Sequence, residues 1–192
     1  MNKVKYGLSN VHYAVATIGT NGTATYGTPK SMPGAVNISL DAQGANTPFY
    51  ADNVKYYITS SNTGYEGDLE MAMLSDDFRK DCLGEITDAS GVIVEDSDAV
   101  AVPFALLFQF EGDEKGTRHV LYNCTATRPQ ISGTTKEDST EPQTETVSLS
   151  CASIKNSVLD KNLVKARCTN STATSVVYDG WFDSVYQTVS TS

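Results

Sequence analysis

Apolar and polar side chains alternate along much of this chain, most clearly over residues 103–127, PFALLFQFEGDEKGTRHVLYNCTAT. Two runs of period two flank a charged turn bracketed by Gly112 and Gly116, which predicts a β-hairpin. Setting Phe110 opposite Arg118 places Phe108 against Val120, Leu106 against Tyr122 and Phe104 against Cys124, so the apolar side chains share one face. A slip by one residue would put Phe108 against His119 and bury less. The first register is therefore the expected one, with His119 beside Gln109 on the polar side. Burial of Phe104, Leu106, Phe108, Val120 and Tyr122 is worth about 1.5–3 kcal/mol each, which makes this hairpin the expected centre of an all-β core.

Further strands are expected at Val11–Ile18, Ala35–Leu40, Val54–Thr59 and Asp68–Leu74. The first turns at Gly19–Gly22, and an antiparallel pairing between the first two follows from their proximity in sequence. Residues 41–53 read as a long loop rich in turn formers that nonetheless carries Phe49 and Tyr50. Those two rings either fold back onto their own core or make a subunit contact, where aromatics are enriched. Ser75 reads as a helix N-cap, Asp76 and Asp77 complement the dipole, Phe78 and Cys82 share a face and Gly84 terminates, which predicts a short helix over 75–84. A short strand is expected at residues 91–94. Residues 128–144 are polar apart from Ile131 and too long for an ordinary connection. Strand character resumes at Glu145–Ser150, Leu163–Cys168 and Ser175–Tyr178, and Trp181, Phe182 and Tyr186 need a place to bury. The expected architecture is a mainly β, antiparallel sandwich or barrel with one flanking helix and long loops, in a single domain over 1–192.

Composition fits a globular protein: 40% hydrophobic and 19% charged residues among 192. A net charge of −9 argues against a surface that grips nucleic acid, because phosphate neutralisation needs clustered Lys and Arg. The beginning of the chain lacks a signal-peptide pattern, and the apolar run 100–108 is broken by Pro103, so no membrane insertion and a cytoplasmic site of synthesis are expected. The four sequons, at Asn21, Asn37, Asn123 and Asn170, carry little weight in that setting. Cys82, Cys124, Cys151 and Cys168 form no C-x-x-C pair and sit in phase with apolar neighbours, as buried reduced thiols do. His12 and His119 are the only imidazoles, both in strands, and the acidic cluster Glu95, Asp96, Asp98 lacks calcium-loop spacing. No nucleophile with its base, no metal constellation and no phosphate loop is visible, so neither an enzyme nor a cofactor is expected.

Several stretches together resemble the major tail proteins, or tail tube proteins, of long-tailed non-contractile phages of Gram-positive bacteria. They are VKYGLSNVHYAV, PGAVNISLDAQG, FYADN, GYEGDLEMAML leading into DDFRKDCLGE, the hairpin PFALLFQFEGDEKGTRHVLYNCTATRP, and EPQTET. The likeness covers about three quarters of the chain in order and fades from about residue 151. It implies a structural virion protein, made in the host cytoplasm, that forms hexameric rings stacked into the tube through which DNA is ejected. Its partners would be copies of itself, the tape measure protein, the tail terminator and the tail-tip proteins, with DNA passing through the bore unbound. The loop near 41–53 and the polar stretch 128–144 would supply inter-ring or inter-subunit contacts, with Asp41, Gln43, Phe49, Tyr50 and Asp52 as candidates. The alternative is a monomeric β-sandwich module for carbohydrate or a cell surface, using Tyr50, Tyr56, Tyr57 and Tyr65 as a platform.

Overall fold

The computed structural model describes residues 4, 6–112, 116–135 and 142–189. In chain order the elements are β1 (Leu8–Ile18), β2 (Ala24–Tyr26), β3 (Lys30–Ser31), β4 (Ala35–Gln43), β5 (Asn46–Ala51), β6 (Val54–Ser60), β7 (Gly64–Met71) and α1 (Asp76–Leu83). They continue with β8 (Ile86–Thr87), β9 (Ile93–Val94), β10 (Phe104–Phe110), β11 (Arg118–Ala126), β12 (Glu145–Ala152), β13 (Ile154–Asn156), β14 (Lys161–Leu163), β15 (Lys165–Cys168) and α2 (Ser175–Asp179), followed by a 3-10 turn at Gly180–Phe182. The main sheet is antiparallel in the order β2-β1-β10-β11-β12-β7-β4, with β15 beside β11 and β3 beside β1. It stays open, with β2 and β4 at its ends, and folds over itself as a sandwich.

The predicted hairpin lies at the centre of that sheet. Its register is a compromise: Phe104 faces Cys124 as expected, but past a bulge Leu106 faces Leu121, Phe108 faces His119 and Gln109 faces Arg118. The one-face criterion fails because both faces of this hairpin are buried. Phe104, Leu106, Phe108, Leu121 and Cys124 enter a first core with Leu69, Met71, Val147 and α1. Ala105, Leu107, Val120 and Tyr122 enter a second core, closed by Trp181 and Val185. His119 thus stacks on Phe108, centroids 5.1 Å apart, instead of pairing with Gln109. A strand buried on both faces loses little apolar contact when its register shifts by one.

Local signals explain α1. Ser75 Oγ accepts from the Phe78 N–H at 3.3 Å, and Gly84 closes the helix at φ 79°, a conformation that favours glycine. Two polar clamps then hold it to the sheet. Arg79 reaches Glu145 at 2.6 Å, and the second oxygen of Glu145 accepts from the Leu74 N–H at 2.6 Å. Asp81 accepts from the Tyr13 hydroxyl at 2.8 Å and pairs with Lys30 at 2.6 Å. Burial pushes the Asp81 carboxyl up, but the hydrogen bonds from Lys30 and Tyr13 outweigh it and hold the group below its ordinary value. Burial, then the bond to Asp81, pushes the Tyr13 phenol up.

Three expectations change. β1 and β4 do not pair: β1 joins β2, β3 and β10, while β4 joins β7. Ser175–Asp179 is a helix capped by Thr174 Oγ1, not a strand, because the cap outweighs the β preference of Val176 and Val177. Residues 41–53 are not a loop: β4 extends to Gln43 and β5 follows. The expected strand at 91–94 survives as β9 paired with β8. Of the polar stretch 128–144, residues 136–141 lie outside the described residues, and 128–135 and 142–144 form no regular element. All four cysteines are free and buried. No helix among the described residues is long and apolar enough to cross a membrane.

Candidate assembly surface

One continuous ladder runs from Ala35 opposite Met71 to Ala51 opposite Val54. Its β4–β7 part belongs to the main sheet. Beyond Gln43 and Gly64 the two chains stay together, with Thr63 N donating to Gln43 O at 3.0 Å and Ser61 N to Ala45 O at 2.9 Å, and continue as the β5–β6 hairpin. Asp52 and Asn53 turn it at φ 51° and 63°. Positive φ at both central residues of a two-residue connection is the hairpin geometry that matches strand twist, and Asp and Asn tolerate it.

This hairpin projects as an arm. Every residue of β6 is exposed, and Phe49, Tyr50, Tyr56 and Tyr57 are 62%, 60%, 74% and 63% exposed. Phe49 pairs with Tyr57, and Pro48 with Ile58 on the opposite face. Apolar side chains therefore stand bare on both faces of a two-stranded ribbon, which is marginal by itself in water. Phe49 and Tyr50 do not fold back onto the core. All five candidate contact residues lie on the β4–β5 strand path: Asp41 opposite Glu66, Gln43 opposite Gly64, Phe49 and Tyr50 in β5, and Asp52 in the turn. Residues 51–54, ADNV, carried the signal for the hairpin, since a two-residue Asp-Asn connection flanked by aromatic strands is a turn pattern. Tyr65 stands apart from the arm tyrosines, half-buried under the Lys165 ammonium 4.4 Å from its ring centre, so the four-tyrosine platform is not assembled.

The same ladder has a second, opposite character nearer the body. Tyr65, Leu69 and Met71 of β7 point into the core, leaving Glu66, Asp68 and Glu70 on the outer face. Register sets Asp41, Ser39 and Asn37 of β4 beside them on one side, and Ser150, Ser148 and Thr146 of β12 on the other. Ser148 donates to Asp68 at 2.7 Å and Thr144 to Glu70 at 2.6 Å. Thr125 of β11, opposite Ser150, continues the face. These positions hold carboxylates, hydroxyls and one amide, and no cation. Gly64 enables the close approach of β12: a Cβ there would lie 2.0 Å from the Cys151 carbonyl oxygen, and its φ of 126° favours glycine.

Both imidazoles lie against aromatic rings: His12 is 5.0 Å from Phe182, with its Nδ1 2.9 Å from the Asn10 carbonyl oxygen, and His119 stacks on Phe108, while the His119 backbone carbonyl accepts from the Trp181 indole at 3.3 Å. A pocket of about 230 Å³ is lined by the apolar Ile38, Leu40, Phe108, Phe110, Val120 and Leu121, with Tyr65, His119 and Lys165 completing its wall.

No curated protein matches the chain. Among solved structures, a chain of the anti-feeding prophage baseplate, determined by cryo-EM with six-fold symmetrisation, is similar at 11% identity and a TM-score of 0.48, covering 88% of this chain and 97% of that one. The family described as phage tail tube protein matches residues 1–162, most of the chain, including the whole β4–β7 ladder and its arm. The chain therefore belongs to the phage tail tube protein family and is a structural component of the virion tail.

Proposed function

We propose that copies of this chain close into hexameric rings, that the rings stack head to tail into a hollow tube, and that DNA is ejected through it. The observation that carries this reading is the β5–β6 arm, whose apolar faces find no cover among the described residues. A surface that meets a different surface on the next copy gives a ring when its rotation closes and an open stack when it does not. The arm, leaving one end of the sheet, is the element that reaches the next ring, and burying its exposed rings there supplies the association energy.

The face carrying Asp41, Glu66, Asp68 and Glu70 is the wall of the conduit in this reading. Multiplied around a ring, a carboxylate and hydroxyl surface repels phosphates and offers them no Lys or Arg to hold. Such a wall lets DNA slide without counterion release or sequence contact. At its ends the tube would meet the tail terminator and the tail-tip proteins, and during growth the tape measure protein inside it.

Electron microscopy of the purified chain under assembly conditions tests the proposal: striated tubes or rings are expected, and a chain that stays monomeric both there and within virions would overturn it. The wall is tested separately with Asp41→Lys, Glu66→Lys and Asp68→Lys together. Tubes that still form but release DNA more slowly are expected, and unchanged release would remove the wall assignment.

A further inference from the structure

Cys124 of β11 and Cys151 of β12 are direct partners across the sheet. The hydrogen-bond pattern fixes the kind of pair. Thr127 N donates to Ser148 O at 2.9 Å, which makes Thr127 and Ser148 a bonded pair. Bonded and non-bonded pairs alternate along an antiparallel ladder, so Thr125 and Ser150 are bonded while Cys124 and Cys151 are not. Non-bonded partners have Cα atoms about 4.5 Å apart and side chains closest together, within the roughly 4.4–6.8 Å that a disulfide spans. Both side chains are buried in the first core, where the Cys124 thiol donates to the Leu121 carbonyl at 4.0 Å. Cys82, also in that core, sits on α1, and Cys168 faces the second core, so neither shares this geometry.

We propose that Cys124 and Cys151 are a latent cross-strand disulfide, reduced while the subunit is in a reducing compartment and closed by a small organic disulfide once the protein meets an oxidising medium. The reaction balances as two exchanges. One cysteine sulfur, deprotonated, attacks the small disulfide and releases one thiolate. The second cysteine sulfur then attacks the mixed disulfide and releases the other, and the two cysteine protons end on the two small thiols. The protein pair loses two electrons and the small disulfide gains them. Burial keeps both sulfurs from reagents in the closed sheet, so the reaction passes through transient opening of β11 from β12. The bridge ties together the two strands from which the polar stretch 128–144 departs, and it shortens the unfolded chain between them.

The test uses the purified full chain, equilibrated with oxidised glutathione at rising temperatures below unfolding, then denatured in the presence of a maleimide and weighed. The expected result is loss of two of the four alkylation sites, with one peptide joining Cys124 to Cys151 in a non-reducing digest. Four alkylated thiols, at temperatures where hydrogen exchange reports opening of β11 and β12, would overturn the proposal, as would a bridge through Cys82 or Cys168. The oxidised chain is expected to unfold at higher denaturant than the reduced one. Cys151→Ala and Cys124→Ala should each abolish that difference, and a bridged chain with an unmoved midpoint would overturn the stapling role. None of these readouts involves tube formation, so the outcome stands apart from the assembly proposal.

Discussion

β10 and β6 are both seven-residue strands, FALLFQF and VKYYITS, and both are rich in aromatic and aliphatic side chains. In β10 the first five residues are buried, while in β6 all seven are exposed. Composition therefore does not separate them; connectivity does. β10 lies between β1 and β11 and is covered on both faces, so its side chains stabilise the lone subunit. Among the described residues β6 pairs with β5 alone, and its side chains stay exposed. In the assembly proposed above, the first kind of strand makes the brick and the second makes the bond between bricks.

The sharpest way to break that comparison is to strip the arm. Phe49→Ala with Tyr50→Ala should leave the melting temperature of the isolated subunit unchanged, since exposed substitutions usually fall within about 0.5 kcal/mol. Tube growth, followed by light scattering and microscopy, should fail. Normal tubes from the double variant would return the arm to an ordinary surface hairpin. The mirror experiment is Phe104→Ala. Phe104 is fully buried and meets Phe78 edge-on at 5.4 Å, and removing it should cost about 3–5 kcal/mol through lost burial and a cavity. Denaturant unfolding of the subunit reads that loss directly. An equal loss in the arm variant would erase the distinction.

A smaller effect sharpens the brick side. Ser75→Ala removes the hydroxyl that accepts from Phe78 N and should cost about 1 kcal/mol, without touching the arm. Its tubes should form at normal rate when the subunit is kept well below its melting temperature. A growth defect there would mean that α1 itself makes an inter-subunit contact.

What was legible in the sequence follows the range of the force responsible. The α1 caps lie within ten residues of one another, and Ser75, Asp76, Asp77 and Gly84 announce the helix without outside help. The central hairpin was legible for the same reason. Its register was not, because the second core is built by Trp181 and Val185, far away in the chain, and their cover removes the polar face that would have fixed the pairing. α2 carries no acidic residue in its first turn to announce the Thr174 cap, and Val176 and Val177 read as strand. The arm was half-legible. Val54–Thr59, rich in aromatic and β-branched residues, reads as a strand, but Pro48 and the turn formers around it masked β5, which pairs with β6. Of the acidic face, only Asp68 and Glu70 fall within the strand expected at Asp68–Leu74. That Ser39, Asp41, Ser148 and Ser150 lie beside it is a matter of strand order, which nothing local encodes.

The smallest expected effect separates the brick's polar clamp from its apolar core by pH. Asp81 holds Tyr13 and Lys30 and has its carboxyl lowered from an ordinary value of 3.8, with burial opposing and the two hydrogen bonds prevailing. A group whose folded value lies below its unfolded value adds stability that is complete above the unfolded value and is lost as pH falls through the folded one. The Asp81 side chain is 28% exposed, so solvent screening keeps the contribution modest. Asp81→Asn should therefore melt below wild type at pH 7, and the gap should narrow as pH falls beneath 3.8 and the wild-type carboxyl takes up its proton. Thermal melts of both proteins from pH 7 to acid measure it, and taking the difference cancels the titration of the other carboxylates. Phe104→Ala, compared with wild type in the same way, should show a gap with no such pH dependence. A constant gap for Asp81→Asn would mean that the clamp acts through shape and hydrogen-bond count, not through its charge.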